Sequence, residues 1–342
     1  MAYIFCSNRG LLYIACLISA IMVCYFAGIS IHWSNNEVHH VIVSSSKTNA
    51  PTSPSQLSPR QRSADHLSLE LKENDHTTSD VYEERRSFAK QCRNYSRERP
   101  SDEALYRRLF VDNKYNFLYC PIAKVGNTAW RTVMLVLRGA IKDVSELRYG
   151  GRVYDYHYQT LDVFSDKGRQ ERLRTFTKFI FVRHPFSRLL SAFRDKFEDT
   201  PEKSFVNIYS PIVKRIVGRN DSSKQIKFEE FVQYLLETDV LAYNVHWLPM
   251  HVVCHPCFLD YDIIGKYETM TEDANYVIRT IHAEDVATFP RYAPHATNSS
   301  ADDVMWRYYS RLTESQIQGL YKKFEWDFKL FGYDMFDYSL RG

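Results

Sequence analysis

Leu11–Ile31 limits the architecture of this chain more than any other segment, because its 21 consecutive residues carry no charge. A helix of that length rises about 30 Å, the hydrocarbon thickness of a bilayer. A cleavable secretory leader has a shorter apolar run, roughly 7–15 residues, followed by a small-residue cleavage site. Ala27-Gly28-Ile29-Ser30 offers such a site, so cleavage is the alternative to a retained signal-anchor. Arg9 and the α-amino group precede the run, and the ten residues after Ile31 carry Glu37 but no Lys or Arg. Positive charge is retained on the cytosolic side. The expected order is therefore a cytosolic tail over 1–10, a transmembrane helix over 11–31, and everything else across the membrane.

The remainder divides by composition. Ser34–Val81 contains no Phe, Tyr or Trp, and Ser44–Ala64 is rich in Ser, Thr and Pro. Such a stretch buries too little apolar surface to offset its ordering entropy, so residues 32–81 read as a flexible, disordered stem. Residues 82–342 carry nearly all the aromatics and are long enough for one α/β domain. The net charge of +3 excludes a strongly basic nucleic-acid binder, and no nucleic-acid partner is expected.

Four cysteines lie beyond the apolar run: Cys92, Cys120, Cys254 and Cys257. An even number in an oxidising compartment suggests two disulfides with three possible pairings. The closeness of the cysteines in Cys254-His255-Pro256-Cys257 favours Cys254–Cys257, leaving Cys92–Cys120. A zinc site built on those two cysteines with His246 and His251 is the competing reading. Asn94, Asn220 and Asn298 each begin an N-x-Ser sequon, which suits a lumenal domain.

Two strand–loop–helix units carry the chemistry. Tyr115–Ile122 reads as a buried strand and Ala129–Gly139 as a helix with Val133, Val136 and Leu137 on one face. Between them stand Ala123, Lys124, Val125, Gly126, Asn127, Thr128 and Ala129. A tight Gly-containing loop opening into a helix N-terminus presents backbone N–H groups and the positive end of the helix dipole to an anion. The GxxxxGK[ST] pattern of nucleoside triphosphatases is absent. In the second unit, Thr177–Val182 is a strand, Arg183-His184-Pro185 follows, and Phe186–Phe197 is a helix with a Leu189, Leu190, Phe193, Phe197 stripe. Arg183 stands at the carboxyl end of its strand, where open α/β sheets bind ligands, and Ser191 lies two turns into the helix. Taken alone, that pair is equally a salt-bridged Arg and a small core Ser.

Together the units resemble the two cofactor motifs of the Golgi carbohydrate sulfotransferases, in particular the family of chondroitin and dermatan 4-O-sulfotransferases. The first motif stands as CPIAKVGNTAW (Cys120–Trp130) and the second as RHPFSRLLSAFRDKF (Arg183–Phe197). His246-Trp247, the CHPC pair, Tyr261–Glu268 and the pattern Leu320-Tyr321, Asp327-Phe328, Phe331-Gly332-Tyr333 follow in the family's order. Ala123 replaces the family's proline before the loop lysine. The resemblance implies a P-loop-like sulfotransferase fold, with a central parallel sheet flanked by helices. It also implies transfer of a sulfuryl group from 3′-phosphoadenosine 5′-phosphosulfate (PAPS) to a sugar hydroxyl of a glycosaminoglycan or glycoprotein glycan, most closely the chondroitin-type GalNAc 4-hydroxyl. The setting it implies is the Golgi membrane, with Leu11–Ile31 as the anchor. On that reading Ala123–Ala129 hold the 5′-phosphosulfate, Lys124 neutralises the leaving phosphate, and Arg183 and Ser191 hold the 3′-phosphate. No metal is expected.

A sugar hydroxyl needs a general base with a pKa near the working pH, which favours histidine. His157 is the expected base, because histidine-based sulfotransferases of related type carry theirs between the first helix and the second strand; His184 is the runner-up. Arg172, Arg174 and Lys178 read as a solvated face rather than an acceptor site, and Trp130 and Trp326 as core. The rival functions are a P-loop-like kinase, which lacks its metal-binding carboxylate here, and an inactive membrane-anchored glycan-binding protein that keeps the fold. The topology is tested by adding protease to sealed membranes. Residues 82–342 should survive, and their digestion without detergent would overturn the topology.

Overall fold

The computed structural model describes residues 80–95, 98–147, 153–199, 201–290 and 299–335. The expected tail, membrane span and nearly all of the stem, and with them Asn298, lie outside the described residues. No helix among the described residues is long and apolar enough to cross a membrane.

Helix α1 covers 80–89, and α2 (Asp102–Tyr106) is N-capped by the Ser101 hydroxyl. Strands β1 (Phe110–Asp112) and β2 (Phe117–Cys120) form a hairpin. Helices α3 (Asn127–Leu137) and α4 (Asp166–Thr175) precede β3 (Thr177–Val182), which feeds α5 (Pro185–Phe193). Helices α6 (Lys203–Ile216), α7 (Phe228–Glu237) and α8 (Met250–Cys254) lead to β4 (Ile263–Lys266). The chain continues through α9 (Met270–Thr280), α10 (Asp302–Tyr309) and α11 (Glu314–Phe331).

The four strands are ordered β1-β2-β3-β4. The pairs β2–β3 and β3–β4 are parallel, with Cys120 opposite Ile180 and Val182 opposite Lys266. Strand β1 runs antiparallel to β2, so the sheet is mixed rather than parallel throughout. The turn decides this, because a short connection can join only antiparallel neighbours. Asp112 Oδ1 accepts from the N–H groups of Lys114 and Tyr115, and Asn116 takes the left-handed region at φ +53°. The same turn shortens the expected strand Tyr115–Ile122 to Phe117–Cys120. The three parallel strands are almost wholly buried, as their continuous apolar sequences require. Gly265 on β4 has no alternative: a Cβ there would meet the Phe181 ring at 2.3 Å.

Two apolar clusters fill the interior. One surrounds the sheet, with Trp130 of α3 packed on Phe179, Phe181 and Phe289. The other lies among α5, α7, α10 and α11 and contains Phe186, Phe193, Phe231, Trp247 and Phe328. Trp130 is a fully buried core residue, and Trp326 is half-buried, packing edge-on against Tyr95 at the margin of the core. Two of the basic residues around the start of β3 are also structural: Arg172 donates to Asn113 Oδ1 and covers the Phe164 ring, and Lys178, within the strand, pairs with Asp262, while Arg174 is exposed.

The disulfides are Cys92–Cys257 and Cys120–Cys254, which corrects the expected pairing. Cys254 closes α8 and His255 takes φ +50°, so the turn through the CHPC segment directs its two cysteines to different partners. Cys120 ends β2 beneath α8, while Cys257 reaches the segment after α1. Both sulfurs that the zinc reading required are thus in disulfides, and no metal-ligand cluster occurs among the described residues. His251, one of the two expected histidine ligands, is 2.7 Å from the buried Asp327 carboxylate, which also accepts from the Met250 and His251 N–H groups at the start of α8. Peptide mapping without reduction should recover Cys92–Cys257 and Cys120–Cys254 linked peptides. The Cys120→Ala/Cys254→Ala double variant should lose about 2–5 kcal/mol in denaturant titration, the usual contribution of a bridge closing a long loop.

Candidate active site

The connection Pro121–Gly126 leaves the carboxyl end of β2 and turns into α3. Two of its residues have left-handed backbones, Lys124 at φ +70° and Gly126 at φ +82°. Glycine adopts that conformation freely, whereas a lysine is held there at a cost of about 1–2 kcal/mol. Gly126 is the N-cap of α3 and provides no side-chain acceptor, and no acidic residue stands in the first turn. The first-turn N–H groups therefore face the loop without a carboxylate, the arrangement that receives anions. Asn127 Oδ1 is buried there without a hydrogen-bond partner. The Thr128 hydroxyl is 2.9 Å from the Tyr154 hydroxyl, which ties the 153–158 segment to the start of α3.

Cationic side chains converge on this loop. Arg183, at the end of β3, is buried and donates to Ser187 Oγ, Lys124 O and Ser300 Oγ at 2.9, 3.2 and 2.7 Å, with Tyr267 4.1 Å beneath its guanidinium. Ser187 and Ser191 are one turn apart on α5, so they share a face, and Ser191 is buried. Arg188, on the same helix, donates to Ala123 O, Leu248 O and Val245 O at 2.9, 2.9 and 3.3 Å. Burial pulls its pKa down to about 10, against the opposing charge of Asp327.

After Phe193, α5 widens into a π-helical turn, Arg194–Glu198. This shorter helix replaces the expected Phe186–Phe197, and such turns often mark functional sites. Asp195 on that turn lies 3.4 Å from Lys124 Nζ and 3.2 Å from Lys196 Nζ. Burial pushes the Asp195 carboxyl upward, but the two lysines outweigh it and hold the carboxyl below its ordinary value. Burial likewise takes the Lys124 ammonium down to about 8; Asp195 opposes that shift, while Arg183 and Lys196 add to it.

The structure brings Lys124 and Arg183 to one end of the sheet, with the α3 N-terminus, and buries Ser191 one helical turn beyond the Ser187 that Arg183 meets. It does not bring His157 there. Val111 N–H donates to Gln159 O and Leu161 N–H to Leu109 O, so the chain after His157 rises beside β1 from the Phe117 end. His157 is exposed and lines a surface hollow of about 640 Å³ with Asp112, Lys114 and Arg138. Arg138 follows α3 and donates to His157 O, and an 11-residue helix separates its two ends by about 16 Å. The expectation placing this histidine beside the loop is therefore corrected. His184, the runner-up, is buried among Phe186, Phe328 and Tyr333, with its ring nitrogen 3.0 Å from Asp334 O. Asn220 is exposed, and the Asn94 side chain lies outside the described residues.

Sequence reasoning assigned no role to Arg188, Asp195 or Lys196, and it placed His246 in a family motif and in the zinc reading while preferring His157 and His184 as the base. Arg188 stands out in retrospect as a cation among Phe186, Leu189 and Leu190. Asp195 and Lys196 gave no such signal, because the π-turn that orients them is invisible to helical periodicity.

The sulfotransferase family profile matches residues 107–334, which include both motif units and the closing helix α11. The chain belongs to the sulfotransferase family. It is 33% identical over 295 residues to carbohydrate sulfotransferase 8 of Mus musculus, covering 83% of this chain and 68% of that protein. It is 36% identical over 240 residues to carbohydrate sulfotransferase 10 of Xenopus laevis, covering 66% and 67%. Carbohydrate sulfotransferase 9 of Homo sapiens is 33% identical over 270 residues, covering 75% and 60%. No solved structure matches. The chain is thus a sulfotransferase enzyme, and PAPS is the standard donor of its family.

The Lys124 environment is directly measurable. After reductive ¹³C-methylation, the Lys124 resonance should titrate near pH 8, and Asp195→Asn should move it lower by removing the charge that favours the ammonium. Because the folded pKa lies below the unfolded 10.5, the unfolded chain binds more protons between about pH 8 and 10.5. The Lys124 contribution to stability therefore improves as pH rises through that window, and its full cost is present below it. A Lys124 titration above pH 10 would contradict this geometry.

Proposed function

We propose that this sulfotransferase moves the sulfuryl group of PAPS to a hydroxyl of a glycosaminoglycan or glycoprotein glycan, with the chondroitin-type GalNAc 4-hydroxyl as the leading acceptor. One observation carries the donor assignment: the carboxylate-free N-terminus of α3 lies in a loop on which Lys124 and Arg183 converge. The acceptor class rests on the carbohydrate sulfotransferase relatives, and the 4-O preference on the motif resemblance alone.

When bound, PAPS supplies an activated S–O bond whose cleavage leaves charge on the 5′-phosphate. The first-turn N–H groups of α3 and the Asn127 amide hold that phosphate. Lys124 leaves Asp195 and places its ammonium against the bridging oxygen, where negative charge grows in the transition state. Arg183 and Ser191 hold the 3′-phosphate at the second helix start, the guanidinium by charge-assisted bonds. Two disulfides spanning the domain suit an oxidising lumen. That supports a type II arrangement in the Golgi membrane, anchored by Leu11–Ile31.

The deciding experiment incubates the full chain with radiolabelled PAPS and a panel of desulfated glycans, followed by disaccharide analysis. Label in the GalNAc 4-position supports the full reading. Label in another glycan would replace the acceptor, and no label in any glycan would overturn the activity. Arg183→Ala should weaken 3′,5′-ADP binding by roughly tenfold to 150-fold, the equivalent of losing a charge-assisted contact of about 1.5–3 kcal/mol. An unchanged nucleotide affinity in the folded variant would remove Arg183 from the 3′-phosphate site.

A further inference from the structure

His246 stands within the field of the loop cations Lys124 and Lys196. His246 lies in a turn closed by Trp247 N–H and Leu248 N–H donating to Asn244 O. Arg188 bonds the carbonyls of Val245 and Leu248 in this turn and the carbonyl of Ala123 in the phosphate loop. One buried guanidinium thus fixes the turn against the loop. The Phe205 ring meets His246 edge-on at 5.2 Å and carries Lys196 Nζ 4.9 Å from its centre.

The tautomer of this imidazole follows from its neighbours. Asn244 Oδ1 accepts from the His246 backbone N–H at 3.1 Å and lies 2.7 Å from His246 Nδ1. A backbone N–H can only donate, so the Asn244 atom it meets is the oxygen. Nδ1 must then carry the proton that it shares with that oxygen, which leaves the lone pair on Nε2. The Asn244 amide is held in turn by donating to the Tyr209 hydroxyl at 3.2 Å.

We propose that His246 is the general base of the transfer, accepting the sugar hydroxyl proton at Nε2, with Asn244 as the positioning residue that fixes its tautomer. The inference rests on the loop being the donor site. As the acceptor oxygen bonds to sulfur, its proton passes to Nε2. The S–O bond to the 5′-phosphate breaks with its electron pair on the departing 3′,5′-ADP. The resulting imidazolium keeps its Nδ1–H on Asn244 and returns the Nε2 proton to solvent.

The surrounding charges give the base a dependence on the donor. Burial, then Lys196 and Lys124, with a smaller effect from Arg188, hold the imidazole down to about 4; Asp195 works in the other direction. Glu202, paired with Lys196, also lies within the field of the ring. The ring is neutral above about pH 5 in the free protein. A polyanionic donor cancels part of the lysine field, so the imidazole becomes a stronger base once the donor is seated. Asp195 is a poor alternative base, because Lys124 and Lys196 stabilise its carboxylate.

The test uses the full chain labelled with ¹⁵N-histidine. The His246 signals should report the Nδ1–H tautomer and a pKa near 4, and saturating 3′,5′-ADP should raise that pKa by at least half a unit. Asn244→Ala should mix the tautomers. His246→Ala and His246→Gln should lower turnover about 10²–10⁴-fold, the range for a positioned base, while 3′,5′-ADP affinity stays within about threefold. An Nε2–H tautomer in the parent protein, or turnover within tenfold of the parent in either folded variant, overturns the proposal. If the parent fails to bind 3′,5′-ADP, the donor-site reading itself falls. If it binds and only His246 proves dispensable, the donor site stands and the base alone is wrong.

Discussion

A single buried guanidinium holds the working parts together. Arg188 is 1% exposed, and each of its three guanidinium nitrogens donates to a backbone carbonyl from one of two segments distant in sequence. Removing a guanidinium from water is costly unless its donors are met in a fixed geometry. Here the planar fork of arginine matches three carbonyls, a pattern that lysine's single ammonium cannot reproduce. The bond to Ala123 sets the height of the phosphate loop, and the bonds to Val245 and Leu248 bring the His246 turn beside it. The Cys120–Cys254 disulfide ties the residue before the loop to the end of α8, and Cys92–Cys257 joins the segment after α1 to the CHPC turn.

Around that anchor the protein concentrates positive charge, with Asp195 shared between two lysines and Glu202 paired with the second of them. Lys124 and Lys196 both approach Asp195, and Arg183 reaches the Lys124 carbonyl. The depressed pKa of Lys124 and the left-handed backbone beneath it are both unfavourable in isolation. A site that lowers its energy when a polyanion arrives has these properties, because the incoming charge satisfies cations that the fold itself leaves underneutralised. The family's reaction needs such a field at the point where the leaving phosphate gains charge.

Much of this was legible along the chain. Continuous apolar residues in Phe179–Val182 identified β3, and Pro185 at the first turn identified the start of α5. The loop Ala123–Ala129, Lys124, Arg183 and Ser191 were identified by strand–loop–helix order and by motif resemblance, and the structure joins Arg183 to the loop through Lys124 O. The pairing of the cysteines was not legible. Separation along the chain favoured Cys254–Cys257, whereas a tight turn with His255 in the left-handed region sends the two sulfurs to different partners. The antiparallel course of β1 followed from an Asp112 turn too short to signal itself in the apolar pattern.

The histidines show most plainly where sequence ends and tertiary structure begins. Local sequence determines features carried by residues within a turn or two: strand, loop, helix start and apolar stripe. His157 follows the first helix in sequence, yet its strand-like segment runs beside β1 from the opposite end of the sheet, so chain order placed it wrongly. His246 is 122 residues beyond Lys124 in sequence. Arg188, bridging two backbones within a water-excluded core, ties its turn to the loop, and nothing in the intervening residues specifies that meeting. Sequence thus determined what kind of loop binds the anion. Long-range hydrogen bonding to one buried charge decided which imidazole stands beside it.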